Sequence, residues 1–270
     1  MQFQDYFPSF SEALATIYSK EESRILYRYF LEDFQERKVE NLASEFVKVT
    51  EELKKGKPYQ QILGYTEFYG NRFFVDENVL IPRPETEELL ELAINKIRDS
   101  RFEIRDFKIL DVGTGSGIIP ITLKKHFPKA IVSAIEISEK ALEIAQKNAD
   151  FHQTEIKFIH SDYLNTDLTE NYDVIISNPP YIGIDENTEI EDSVKGFEPN
   201  IALFSPTSDA LIFYRKIAKD CENHLNENGL FFLEINQKLG KETLELFKNF
   251  SESELVKDLS GNDRIVMGRK

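Results

Sequence analysis

Cysteine is nearly absent: Cys221 is the single one in 270 residues, so no intrachain disulfide can form. That fits a reducing compartment, and a cytoplasmic location is expected. Basic charge is also short. Lys and Arg number 33 against 48 Asp and Glu, a formal net charge of −15. A chain this acidic is poorly suited to gripping a phosphate backbone through bulk electrostatics. A basic protein partner suits it better, and no direct nucleic-acid binding is expected. No apolar run approaches the roughly 18 residues needed to span a bilayer. Met1 to Phe10 shows no basic stretch leading into an apolar one, so no secretory signal and no membrane partner are expected. The four histidines, His126, His152, His160 and His224, have no metal-ligand spacing, and with one cysteine no metal site is expected. What remains is a globular composition, 41% hydrophobic and 30% charged.

Glycine divides the chain, with none before Gly56. In that first part Leu42, Phe46, Val49 and Leu53 mark one face of a helix, and Ile25, Leu26, Tyr29 and Phe30 suggest an earlier one. Residues 1–57 are therefore expected to form a small helical domain. Residues 58–86 read as a connector with a β-hairpin. Arg72–Val75 and Val79–Ile81 are its β-like runs, and Thr86 is a plausible N-cap for a helix from Glu87 to about Arg98. From there to residue 270, strands alternate with helices. The expected strands are Lys108–Val112, Ile131–Ile135, Ile156–His160, Val174–Ser177 and Leu230–Ile235. The expected helices are Gly117–His126, Ser138–Asp150, Asp209–Asn223 and Leu239–Phe250. Such alternation predicts an α/β fold with a mostly parallel sheet. The closing segments Glu254–Leu259 and Arg264–Met267 read as an antiparallel edge hairpin.

Four segments carry chemistry. Asp111, Val112, Gly113, Thr114, Gly115, Ser116 and Gly117 follow an apolar strand and open a helix, where glycines let backbone approach a ligand. The spacing is not that of a dinucleotide fold, and the phosphate-loop lysine is missing. Glu136 ends the second strand, where a carboxylate can accept from both hydroxyls of a ribose; alone it would read as a solvated helix start. After the third strand come Asp162, a candidate acceptor for an adenine amino group, and Tyr163, a candidate flat face; an Asx turn with a half-buried tyrosine is the alternative. The most specific segment is Asn178, Pro179, Pro180 and Tyr181. Two prolines remove two backbone donors and leave acceptors, an arrangement that suits a planar NH₂ group.

These segments resemble the class I S-adenosylmethionine-dependent methyltransferases. More narrowly, the chain is similar to the HemK/PrmC family of protein-(glutamine-N5) methyltransferases that modify peptide chain release factors. The likeness runs through Pro58–Gly64, Phe68–Gly70, Val79–Glu87, Asp111–Gly117, Asn178–Tyr181, Glu198-Pro199, Glu234-Ile235 and Gly261–Arg264. Departures are Glu136 where many members carry Asp, Tyr163 after the acidic residue, and Asn236 in place of a glycine.

The resemblance implies a Rossmann-like methyltransferase sheet preceded by a helical substrate-recognition domain. It implies methyl transfer to the glutamine side-chain nitrogen of a Gly-Gly-Gln loop, with S-adenosyl-L-homocysteine as product, by a monomer. Asp111, Gly113, Thr114, Gly115, Ser116, Gly117, Glu136, Asp162, Tyr163 and Asn178 would hold the cofactor. Asn178, Pro179, Pro180 and Tyr181 would bind the amide and carry catalysis, with the Asn178 side-chain oxygen and the Pro179 carbonyl as acceptors. Pro84, Glu85 and Thr86 would approach the methionine part of the cofactor. Arg83 has no assigned role, and the acidic run Asp185–Asp192 is a solvated loop or a partner contact. The competing readings are an amino-group methyltransferase on nucleic acid, at adenine N6 or guanine N2, and a cofactor-binding scaffold without turnover.

Overall fold

The computed structural model describes residues 6–100, 102, 106–181, 196–205 and 207–270. Three helices open the chain: α1 (Phe7–Ala13), α2 (Lys20–Glu36) and α3 (Leu42–Lys54). α2 begins with a capping box. Ser19 Oγ accepts from the Glu22 N–H at 3.2 Å, and the Glu22 carboxylate accepts from the Ser19 N–H at 2.7 Å. The helices close on Phe46, which stacks on Tyr27 with centroids 4.5 Å apart and takes Phe10 and Phe34 edge-on. α3 buries the face read from sequence. α2 is rotated from that reading: Ile25 is exposed, while Ser23 and Asp33 share the buried stripe with Leu26, Tyr27, Phe30 and Phe34.

A short α4 (Tyr59–Leu63) leads into the hairpin β1 (Tyr65–Phe68) and β2 (Asn71–Phe74). Its turn residues Tyr69 and Gly70 both have positive φ, as a tight two-residue turn requires. Val79–Ile81 was expected as a strand and is not one. The Ile81 N–H goes instead to the Glu198 side chain, 3.0 Å away. The next helix, α5 (Pro84–Asp99), starts earlier than expected. Arg83 is its N-cap, and Pro84 enters at the first helical position, where its fixed φ fits and its missing N–H costs nothing. Thr86 is thus inside the first turn, and its hydroxyl is used elsewhere.

The remaining elements are β3 (Lys108–Val112), α6 (Ile118–His126), β4 (Ile131–Glu136), α7 (Glu139–Phe151), β5 (Lys157–His160), β6 (Tyr172–Ser177), α8 (Asn200–Leu203), α9 (Ile212–His224), β7 (Leu225–Glu234), α10 (Gly240–Glu245), β8 (Glu252–Lys257) and β9 (Asp263–Arg269). The seven strands stand in the order β5-β4-β3-β6-β7-β9-β8. The first five are parallel, and β9 and β8 are antiparallel, as expected. Two bounds differ most from the sequence reading. β7 begins at Leu225 because Leu225 already pairs with Tyr172 across a bulge. α10 ends at Glu245, where i→i+3 bonds such as Phe247 N to Leu244 O replace the helical pattern.

Both sheet faces are buried. Ile109, Val174, Ile176 and Phe232 face the side covered by α5 and α6. Leu110, Ile175, Phe231 and Leu233 face the side covered by α9. Strands buried on two faces must be near-continuously apolar, which is why Val174-Ile175-Ile176 reads as a strand at all. The chain runs outward from β3 to β5 and then returns to β6 on the other side of β3. Ligands of open α/β sheets bind at the carboxyl edge beside such a reversal.

Candidate active site at the carboxyl edge of the sheet

A cavity of about 380 Å³ lies at that edge. It falls within the roughly 300–1,000 Å³ usual for small-molecule sites. The turns after β3, β4, β5 and β6 all reach it, and Val79, Leu80 and Ile201 contribute to its walls.

After β3, Gly113, Gly115 and Gly117 have φ of 74°, 53° and 80°, a region that side chains disfavour. The three differ in use. A Cβ on Gly117 would sit 3.1 Å from the Ala145 Cβ, so this glycine serves the packing of the turn on α7. A Cβ on Gly113 or Gly115 would meet nothing within 4 Å, because both border the cavity. Thr114 and Ser116 are buried and do not line it. The fully buried Asn148 ties this turn to the hairpin, donating to the Ser116 and Phe74 carbonyls at 2.8 and 3.0 Å.

Asp111 ends up beneath the turn with no exposed surface, and neither of its oxygens has a hydrogen-bond donor. Burial pushes its carboxyl up to about 7, Glu136 adds to the rise, and the Thr114 hydroxyl opposes it without being placed for a hydrogen bond.

Glu136 does more than sequence suggested. Its Oε2 accepts from the Gly115 N–H at 3.0 Å, and its Oε1 accepts from the Ile137 and Ser138 N–H groups at 2.9 Å. The extra methylene relative to Asp lets the carboxylate curl onto the backbone that leads from β4 into α7. With about four lone-pair sites on a carboxylate, three backbone donors leave room for one more.

Asp162 borders the cavity and caps the next turn, its Oδ1 accepting from the Leu164 N–H at 3.1 Å. Tyr163 also borders the cavity, but the expected flat face is not on offer. The residue is 4% exposed, and its phenol donates to Asp220 at 2.6 Å.

After β6, Asn178 and Pro180 line the cavity, while Pro179 is buried beneath. Asn178 Nδ2 donates to Thr86 Oγ1 at 3.0 Å, which leaves Oδ1 as the group available to the cavity. The Thr86 hydroxyl donates to Glu234 Oε2 at 2.7 Å, and the Tyr181 phenol donates to Oε1 of the same carboxylate at 3.3 Å. Asn236 donates to the Tyr181 carbonyl at 3.2 Å. Sequence reasoning missed Thr86 as the partner of Asn178 and Glu234 as the partner of Thr86, because these neighbours meet only through the fold. Arg83 also finds a place. It pairs with the buried Glu198 at 2.6 Å and so pins residues 196–205 against the connector, beside the cavity. Asp185–Asp192 lies outside the described residues. Among the described residues no cluster of His, Cys, Asp or Glu could hold a metal, and no helix is long and apolar enough to cross a membrane.

The sheet order and this edge define a class I methyltransferase, and residues 92–194 match the family model described as the methyltransferase small domain. Solved structures agree on the fold. A methyltransferase from Pyrococcus furiosus superposes with a TM-score of 0.53 at 19% identity, covering 75% of this chain and 90% of that one. The hMettl16 catalytic domain, solved with a MAT2A 3'UTR hairpin, gives 0.56 at 16% identity over 83% and 79%. Among curated relatives, release factor glutamine methyltransferase of Flavobacterium psychrophilum is 43% identical over 98% of both chains. The Streptococcus pneumoniae protein of the same name is 37% identical over 95% of this chain and 91% of its own. The chain belongs to the release factor glutamine methyltransferase family.

Proposed function

We propose that this protein transfers a methyl group from S-adenosyl-L-methionine to the side-chain amide nitrogen of a glutamine in peptide chain release factors. When bound, the cofactor supplies an electrophilic methyl on a sulfonium. The residues at the sheet edge suit that ligand. The buried Asp111 carboxyl has no hydrogen-bond donor, and the ammonium of the cofactor's amino-acid part would offer it a cation. Glu136, with a lone-pair site still free beside its three backbone donors, would accept from the ribose hydroxyls. Gly113 and Gly115 keep open the space that side chains would fill.

The observation that carries the reading is the Asn178 amide, whose nitrogen side is turned to Thr86 and whose oxygen is left to the cavity. An amide nitrogen is a poor nucleophile because its lone pair is delocalised into the carbonyl. Acceptors that hold its hydrogens out of the amide plane favour a more tetrahedral nitrogen. Asn178 Oδ1 and the Pro179 carbonyl are the acceptors in this account, and Pro180 and Tyr181 shape the slot. Their task is alignment of the nitrogen with the methyl. As the N–C bond forms and the S–C bond breaks, the nitrogen gives up one proton to solvent.

The helical segment at 1–57 is assigned to recognition of the protein substrate, since the groups proposed for chemistry all lie beyond it. A cytoplasmic setting fits the buried, unpaired Cys221. Mass spectrometry of a release factor incubated with the protein and S-adenosyl-L-methionine tests the reading, with nucleic acid offered alongside. One added methyl on the Gly-Gly-Gln glutamine is expected. Label appearing on nucleic acid alone, or cofactor binding without product, overturns it.

A further inference from the structure

Thr86 Oγ1 stands between two groups, accepting from Asn178 Nδ2 at 3.0 Å and donating to Glu234 Oε2 at 2.7 Å. A hydroxyl has one proton to give. Once that proton goes to a carboxylate, only lone pairs remain for Asn178. Asn178 must then turn its NH₂ toward Thr86 and its oxygen away. The direction of the whole chain is therefore set at its buried end, by whether Glu234 is an acceptor on the Thr86 side.

We propose that Thr86 and Glu234 are positioning residues that decide which end of the Asn178 amide meets the substrate, through a one-way run of hydrogen bonds from Asn178 to Thr86 to the Glu234 carboxylate. The proposal rests on the amide-methylation reading, because an amide N–H needs the oxygen of Asn178 and not its NH₂. Neither residue touches the substrate.

The groups around Glu234 agree with an acceptor role. Tyr181 donates to its second oxygen at 3.3 Å. Arg264, on β9 and itself paired with Asp258 at 3.1 Å, favours the charged form, while Glu85 on α5 opposes it. Tyr214 on α9 donates to the Glu234 backbone carbonyl, not to the carboxylate. Burial is the largest influence and raises the carboxyl to about 7. Above that value Glu234 is charged and the chain runs toward it. Below, a proton on Oε2 lets Glu234 donate to Thr86 and Thr86 donate to Asn178 Oδ1, turning the NH₂ of Asn178 to the cavity. The site then presents a donor to a group that also donates.

Turnover on release factor is measured from about pH 5.5 to 8.5 at saturating S-adenosyl-L-methionine, so that cofactor affinity does not shape the profile. Wild type is expected to show a rising limb centred near 7, the value at which Glu234 loses its proton. Thr86→Val should lower kcat about tenfold or more, leave the KM for cofactor unchanged and abolish the limb. Thr86→Ser, which restores the hydroxyl, should recover the rate to within about threefold and the limb with it. Glu234→Gln has no proton to lose and should show no limb. The Asn178 side-chain ¹⁵N resonance gives the same answer without substrate. It should titrate near 7 in wild type and Thr86→Ser and stay fixed in Thr86→Val and Glu234→Gln. A wild-type kcat in Thr86→Val, a limb retained in Glu234→Gln, or an Asn178 resonance indifferent to both variants overturns the inference. Absence of methylation by the wild type would instead refute the activity, and the resonance would still decide the relay.

Discussion

Two turns at the same sheet edge solve opposite problems. The turn after β3 is left incomplete: it buries Asp111 with no partner and holds two glycines open toward the cavity. The turn after β6 is held from within, with Asn178, Thr86, Tyr181 and Glu234 bonded to one another and the Asn178 side-chain oxygen left over. A buried carboxylate without a donor is costly, and a ligand that supplies a cation relieves the cost. A self-satisfied network costs little and has a fixed geometry. The first turn is built to be finished by what binds, and the second to hold one orientation before anything binds.

Removing the leftover acceptor should break the second turn's function and spare the first. Asn178→Ala is expected to lower kcat about 10²-fold or more while S-adenosyl-L-homocysteine affinity changes far less. Steady-state kinetics together with calorimetric titration check this. A rate near wild type would remove Asn178 from its role. Glu136→Ala should do the reverse, weakening cofactor binding by about 1–3 kcal/mol as a charge-assisted bond is lost. Part of that loss should come from the freed Gly115 N–H, so the variant's turn should also exchange its amide hydrogen faster. The smallest effect should come from outside the edge altogether. Ser19→Ala removes the cap of α2 and should cost the helical segment about 1 kcal/mol in denaturant unfolding, with cofactor affinity unchanged.

The same contrast explains what could be read from the residues. The parallel strands were legible because burial on both faces leaves apolar runs such as Val174–Ile176. The glycine turn was legible because positive φ calls for glycine. Partners set by the fold were not. Thr86 looked like a helix cap because a threonine before an acidic run has that local use, and its bond to Glu234 spans 148 positions. Val79–Ile81 looked like a strand because nothing local shows that Glu198, 117 positions on, takes the Ile81 N–H. Ile25 fitted an apolar spacing, but in α2 the stripe is completed by the buried Ser23 and Asp33, which hydropathy does not find. Tyr163 was assigned an open face, and Asp220 on α9 draws its phenol into the core.

Asp111 offers the most direct test of the incomplete turn. Its raised carboxyl contributes stability that is full below the ordinary carboxylate range and is lost as pH rises through about 7. A bound ammonium favours the charged form and should expel the proton. Calorimetric titration with S-adenosyl-L-homocysteine in buffers of different ionisation enthalpy, near pH 6.5, counts protons released per ligand. Wild type should release an appreciable fraction of about one proton, and Asp111→Asn should release none while binding more weakly. Equal release from both proteins, or none from wild type, would contradict the account that the ligand completes this turn.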